Sequence, residues 1–485
     1  MRRTNRTFRL IAGLAVAVLV LGACGGNDDG DTGGTTDDAK ILKIGVIAPL
    51  TGDLSALGLG IRNGVDLAIQ QANEGNKIEG YKLELAAEDD TAKPDVGAQV
   101  ATKLSSDDEV VAVVGTLNSS VAESVQPVLD GEGIAMVSPA NTAIGLTMGA
   151  DQKNPQRPHP NYFRVATTDA VQGPFAADFA SKDLKATEVA IVHDNKTYGK
   201  GLTEAFAERF KANGGEVVLT ETVNPGDKDF GAVVSRIRRA KPDLIYYGGE
   251  YPEASLLSSQ IDAAGIDAPL MGGDGIYDDT FFETGGDGTV GDFATSVGAP
   301  LTELESAADF IEAYDAAGFD DPPSAYGGYA YDAANVIIKG LEEALGGGEG
   351  DSAADIATIR TDLIEAIQGV EIDGVTGPVA FDELGDTTTK VLTVYKVTAP
   401  RACAEEASGE EEDEDATTTT AAAGEEEDED ATTTTAASDA EAGDKPCWKP
   451  EKTGEFSGSD DEAAEGESDS STTTAKDKSA GGAAE

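Results

Sequence analysis

The chain is predicted to be an α/β protein built from two doubly wound parallel-sheet lobes. Three observations carry this. Short apolar runs alternate with helical stripes from Ile41 to Val137. The alternation restarts at Val189, after a Pro-rich polar stretch from Gly149 to Asn161. The body between Ile41 and Pro400, roughly 360 residues, exceeds what one ordinary core holds.

In order, Leu42, Ile44, Val46 and Ile47 form a short apolar strand ending at Ala48-Pro49. After a Gly-rich turn, Ile61, Val65, Ala68, Ile69 and Ala72 recur at helical spacing, the stripe of a helix lying on a sheet. Tyr81, Leu83 and Leu85 alternate as the next strand. Pro94 opens a second helix, where its missing N–H does no harm, with Val96, Val100 and Leu104 on one face. Val110–Val114 reads as a buried strand, Ser120–Leu129 as a helix and Ile134–Val137 as a strand. Successive β-α-β units give a parallel sheet, because the crossover must return to the same edge. In the second half, Val189–Val192, Val217–Leu219, Leu244–Tyr247 and Leu270-Met271 are strands. Gly201–Lys211, Phe230–Arg239 and Pro252–Ala264 are the helices between them.

The ends are of another kind. Arg2, Arg3, Arg6 and Arg9 precede an apolar run, Leu10 to Leu21. That run is too short to span a bilayer as a mature helix, which takes about 20 residues, and it suits a secretory signal over 1–23. It ends in Leu21-Gly22-Ala23-Cys24, which resembles a lipoprotein processing site with Cys24 as the lipidated residue. Residues 24–40 are Gly, Asp, Thr and Asn without apolar pattern, a flexible tether. At the other end, Gly409–Ala423 and Gly424–Ser438 repeat one acidic Thr/Ala unit, so 401–452 reads as an acidic insertion and 453–485 as a disordered tail. Cys403 and Cys447 flank the repeats and form an even pair for a disulfide in an oxidising compartment.

The chain has 90 acids against 35 bases. Phosphate backbones would be repelled, so nucleic acid is excluded as a partner. His159 and His193 lie in unrelated contexts, so neither a metal nor any other cofactor is expected.

In open α/β sheets, ligands sit beyond the carboxyl ends of strands. Gly115-Thr116-Leu117-Asn118-Ser119-Ser120 runs from a strand straight into a helix, offering hydroxyls and free N–H groups to an anion, or simply capping the helix. Ser138-Pro139-Ala140-Asn141-Thr142 is a second small, polar stretch of this kind. In the second half, Gly248-Gly249-Glu250-Tyr251 and Gly272-Gly273-Asp274-Gly275 follow strands and offer acids and an aromatic to a cation. Together they describe a zwitterion held between two lobes.

Ile41–Pro400 resembles the type I periplasmic binding proteins, specifically the leucine/isoleucine/valine-binding proteins of branched-chain amino-acid ABC transporters. The likeness runs through Lys43–Val46, Thr51-Gly52, Gly115–Ser120, Pro139–Thr142, Ile191–Asp194, Tyr198-Gly199, Asp229-Phe230, Tyr246–Gly249 and Gly377-Pro378. It implies lobe 1 from 41–165 with 298–373, and lobe 2 from 166–297 with 374–400. It also implies a three-strand hinge near Val165–Asp169, Thr295–Pro300 and Ile372–Gly377. By the same resemblance Ser119 and Thr142 hold the ligand carboxylate, the Ala140 carbonyl and the Asp274 carboxylate meet its ammonium, and Tyr198 lines the pocket. Leu57 stands where relatives have an aromatic, Glu250 where they have a tyrosine with Tyr251 as its candidate replacement, and Asn118 where some have a cysteine. The implied partners are a small-molecule ligand, most simply an amino acid, the permease subunits of an importer, and the membrane through a lipid. The implied place is the outer face of the cytoplasmic membrane.

Other functions find less support. His193 beside Asp194 invites an enzymatic reading, yet no serine or cysteine sits in a G-x-S-x-G elbow. No G-x-x-x-x-G-K-[ST] loop is present for nucleotide hydrolysis. A sensor ectodomain would share the fold. Within binding, the alternative cargoes are an amide, a urea or an aromatic carboxylate, none of which needs an acid at Asp274.

Overall fold

A computed structural model describes residues 39–346, 355–400, 403 and 445–456. The signal, Cys24, the tether to residue 38 and nearly all of the acidic repeats and tail lie outside the described residues.

The first sheet has the strands β1 (Lys40–Ala48), β2 (Tyr81–Asp89), β3 (Val110–Gly115), β4 (Ala135–Ser138) and β5 (Tyr162–Arg164). Their order is β2-β1-β3-β4-β5, all parallel. Strands buried on both faces need continuous apolar sequence, and every residue of β3 is buried. Between the strands run α1 (Ser55–Glu74), α2 (Pro94–Ser105), α3 (Ser119–Gly131) and the short α4 (Gly145–Met148). The predicted stripe of α1 is its buried face.

The second half begins with α5 (Asp169–Lys182) and continues with β6 (Glu188–His193), α6 (Thr197–Ala212), β7 (Glu216–Thr222) and α7 (Gly231–Ala240). Then come β8 (Leu244–Gly248), α8 (Tyr251–Ala263), β9 (Leu270–Gly272), α9 (Thr280–Gly285) and β10 (Phe293–Val297). From there α10 (Ala308–Ala317), α11 (Gly327–Ala344) and α12 (Ile356–Gln368) return to the first sheet. α11 packs on α1 so closely that a Cβ on Gly64 would fall 2.2 Å from the Gly327 carbonyl oxygen. Arg360 of α12 donates to the Val110 carbonyl of β3 at 2.9 Å. A small hairpin of β11 (Ile372–Gly374) and β12 (Gly377–Val379) leads to β13 (Val391–Thr398), and the last strand is β14 (Cys447–Glu455). The second sheet runs β14-β13-β10-β9-β8-β6-β7, antiparallel only where β13 meets its two neighbours.

Two expectations need correction. The third crossing between lobes comes later than Ile372–Gly377. Residues 381–386 still belong with β5: the Arg164 N–H donates to the Gly385 carbonyl at 3.0 Å, and Phe381 packs on Phe163 with ring centroids 5.2 Å apart. The chain crosses at Thr387–Val391, which surrounds one small cavity together with Val165, Thr167, Val297 and Gly298 of the other two crossings.

The second correction concerns the acidic insertion and tail, assigned to 401–452 and 453–485. Residues 447–455 instead form an edge strand of the second sheet. Pro450 would break a central strand, but it sits at the edge, beside a bulge opposite Val394 and Tyr395, where the ladder does not need its N–H. Trp448 anchors the strand by stacking on Phe281 and donating from its indole N–H to the Asp278 carbonyl at 3.1 Å. Cys403 and Cys447 are disulfide-bonded, with Cα atoms 6.0 Å apart.

Candidate functional site

The carboxyl ends of β3, β4, β6, β8 and β9 deliver their loops to one cavity between the lobes. It is narrow and is lined by residues of both halves. Lobe 1 supplies Leu57 from α1, Leu117 and Asn118 from the β3–α3 turn, Ser119 from the first turn of α3, and Ala140. Tyr326, just before α11, completes that side. Lobe 2 supplies Tyr198, Glu250, Asp274 and Gly275.

Asp274 is the electrostatic centre. It is fully buried, and its two oxygens accept from the Tyr198 hydroxyl at 2.8 Å and the Tyr326 hydroxyl at 2.7 Å. Burial pushes its carboxyl up, and the two tyrosine hydroxyls pull it back. It forms no ion pair among the described residues. Nor does it cap the short turn that follows, whose N-cap position is Gly273. Tyr198 is held in place by the first turn of α6, which begins four residues earlier than the predicted Gly201. That turn presses on the end of β8, where a Cβ on Gly199 would lie 2.4 Å from the Gly248 carbonyl oxygen. The Tyr198 hydroxyl also accepts from the Gly275 N–H at 3.1 Å.

A second polar group spans the lobes. Asn118 Nδ2 donates to Glu250 Oε1 at 2.6 Å, and Lys196 Nζ donates to Glu250 Oε2 at 2.8 Å. Asn118 occupies the N-cap position of α3, yet its side chain makes no capping bond. It is spent on the cleft instead. Nearby, burial and the adjacent Glu250 raise the Asp194 carboxyl, while Lys196 opposes the rise.

Thr142 lies beside the cavity without lining it. Arg164, fully buried, donates to the carbonyls of Asn141 at 3.1 Å and Ala143 at 2.8 Å, on either side of Thr142. The guanidinium is in turn held by Asp386 at 2.5 Å and by the Thr147 hydroxyl. Behind Thr142, burial pushes Asp169 up to about 8; Thr142 and Arg164 oppose the rise, and Asp274 adds to it. The Ala143 N–H donates to Ser119 Oγ at 3.4 Å, tying the two small polar stretches together.

Tyr251 does not line the cavity; its hydroxyl reaches across the cleft and donates to the Asp53 carbonyl at 2.5 Å. His193 Nδ1 accepts from the Asn195 N–H at 3.0 Å.

Comparison with known proteins decides the family. A periplasmic binding protein family model matches residues 41–402. The chain belongs to the periplasmic binding protein family. This binding protein is 35% identical over 367 residues to the Leu/Ile/Val-binding protein BraC3 of Rhizobium johnstonii, covering 75% of this chain and 94% of that one. It is 32% identical over 358 residues to the leucine-, isoleucine-, valine-, threonine-, and alanine-binding protein of Pseudomonas aeruginosa, covering 74% and 90%. Among solved structures it is similar to the branched-chain amino acid transporter substrate binding protein LivJ of Streptococcus pneumoniae in complex with isoleucine. That match has a TM-score of 0.64 and 27% identity, covering 74% of this chain and 96% of the other.

Of the residues expected at the site, Leu57, Ser119, Ala140, Tyr198, Glu250 and Asp274 share the cavity, and Thr142 and Tyr251 stand outside it. Sequence reasoning missed Tyr326 and Lys196 as partners of the two acids, and the Arg164–Asp386 pair under Thr142. Tyr326 had a faint signal, a tyrosine just before the Gly327-Gly328 pair that opens α11. Arg164 and Asp386 had none, being 222 residues apart.

Proposed function

We propose that this binding protein captures a small α-amino acid between its lobes, outside the cytoplasm, and hands it to the permease subunits of an ABC importer. It carries out no chemistry on its cargo. The observation that carries the reading is Asp274, a fully buried acid on the cavity wall whose partners are two hydroxyls and no cation among the described residues. A buried carboxylate is costly unless a positive group meets it, and a ligand ammonium is that group. Opposite it, Ser119 at the first turn of α3 presents a hydroxyl and helix N–H groups to the ligand carboxylate. Several bonds already cross the cleft, from Tyr326 to Asp274, Asn118 to Glu250, Tyr251 to Asp53 and Thr197 to Glu123. Closure of the lobes on the ligand about the three crossings fits this arrangement.

The test is a calorimetric titration with an amino acid, its primary amide and its deaminated acid. Each analogue removes one charge, and each is expected to bind about 100-fold more weakly or worse, roughly 2.7 kcal/mol. A deaminated acid that binds as tightly as the amino acid contradicts the role of Asp274 and moves the cargo to simple carboxylates.

We also infer a lipid anchor at Cys24, motivated by the charged, apolar leader and Leu21-Gly22-Ala23-Cys24. Cys24→Ala should abolish detergent-phase partitioning of the mature protein; unchanged partitioning contradicts the anchor.

A further inference from the structure

The cavity wall left for the ligand side chain is half polar. With Ser119 at the carboxylate end and Ala140, Asp274, Tyr198, Gly275 and Tyr326 at the ammonium end, the remaining lining is Leu57, Leu117, Asn118 and Glu250. Two of these are apolar and two are not. The orientation of the Asn118 amide follows from chemistry. The Glu250 carboxylate only accepts, so the atom facing it at 2.6 Å is the NH₂ group. Asn118 Oδ1 is therefore the other atom, and it is buried with no hydrogen-bond partner among the described residues. Each Glu250 oxygen already accepts one hydrogen bond, from Asn118 and from Lys196, and Lys196 sets a positive charge beside it while also facing Asp194 at 3.6 Å. Asn118, whose Oδ1 is an unpaired and uncharged acceptor, thus lines this end of the cavity beside two leucines.

Resting on the amino-acid reading above, we propose that Asn118 is a specificity-determining residue, and that the preferred ligand carries a side-chain hydrogen-bond donor, a hydroxyl or a carboxamide, in place of a bare aliphatic group. An aliphatic side chain would bury the Asn118 oxygen against carbon and leave it unpaired, whereas a donor satisfies it. A site built to hydrogen-bond its ligand discriminates strongly against the isostere that lacks the group. The Asn118–Glu250–Lys196 chain holds the acceptor rigid across the two lobes, so closure and side-chain recognition are made by the same bonds.

The experiment uses two isosteric pairs, L-threonine with L-valine and L-asparagine with L-leucine, titrated calorimetrically into the full-length protein and into Asn118→Leu. The parent is expected to bind the donor-bearing member of at least one pair about tenfold tighter than its isostere, or ~1.4 kcal/mol. In Asn118→Leu that preference should vanish or reverse. Valine and leucine binding as well as or better than their partners in the parent overturns the inference and leaves the amino-acid reading standing. A parent preference that survives unchanged in Asn118→Leu also overturns the assignment to Asn118. If none of the four binds, the inference falls. In that case, binding of the deaminated acids shows that the amino-acid reading has fallen with it, and binding of other amino acids shows that it has not. The ratio in the parent needs no variant, so a poorly folding Asn118→Leu does not remove the test.

Discussion

Replacing Asp274 by asparagine separates ligand recognition from folding. The substitution keeps the volume and one acceptor but removes the charge. In the native site both carboxylate oxygens accept from tyrosines, at 2.8 and 2.7 Å. The asparagine oxygen can keep one of these bonds, while its NH₂ group faces the other hydroxyl. For the ligand, the buried counter-charge of its ammonium is gone. Breaking a buried ion pair from one side costs about 3–5 kcal/mol, or roughly 150- to 4000-fold in Kd. Stability of the unliganded protein should move the other way. The Asp274 carboxyl is raised above its ordinary 3.8 chiefly by burial. An acid raised in this way holds its proton more readily folded than unfolded, so stability falls as pH climbs from about 3.8 through the folded value. Asparagine removes that fall, and the unliganded variant should melt at or above the parent temperature at pH 8. Calorimetric titration and thermal unfolding on the same samples read both effects. Binding within threefold of the parent refutes the reasoning, and so does an affinity loss accompanied by an equal loss of unliganded stability.

Three further outcomes follow from other parts of the molecule. Asp386→Ala leaves the buried Arg164 guanidinium without its counter-ion and should cost about 3–5 kcal/mol, seen as a melting temperature lower by roughly 5–15 °C; the double replacement Arg164→Met with Asp386→Leu should cost less. Asp169 is pushed up to about 8 by burial, so its contribution to stability declines between about pH 4 and pH 8; Asp169→Asn should flatten the unliganded melting-temperature slope over that window, and an unchanged slope contradicts the shift. Deleting Glu405–Ala442 retains both cysteines and β14 and should leave Kd within about twofold, under roughly 0.5 kcal/mol, because these repeats lack the apolar residues of a pocket wall; a tenfold loss by titration would show that the segment reaches the cleft.

Much of the fold was legible because period and position carry it. The α1 stripe from Ile61 to Ala72 is a 3.6-residue repeat, and Val110–Val114 is an apolar run that only a doubly covered strand explains. Knowing the strands gave the site, since its loops lie at their carboxyl ends. What escaped was set by tertiary context. Cys447–Glu455 carries charges and a proline and has no strand pattern of its own; pairing with β13 and the Trp448 anchor make it a strand. Tyr326 reaches Asp274 across 52 residues, and Asn118 reaches Glu250 across 132, distances over which local sequence holds no record of contact. The last crossing was misplaced because residues 381–386 dock on β5 through one backbone bridge at Arg164 and the side chains of Phe381 and Asp386, with no periodicity to announce it.

In the proposed complex an amino acid lies between the lobes with its ammonium on Asp274 and its carboxylate at the start of α3. A crystal structure of the protein with its tightest-binding amino acid tests this directly. The ligand nitrogen is expected within about 3.2 Å of an Asp274 oxygen and a ligand carboxylate oxygen within the same distance of Ser119 Oγ. A ligand bound outside this cavity, or with its carboxylate turned toward Asp274, would contradict it.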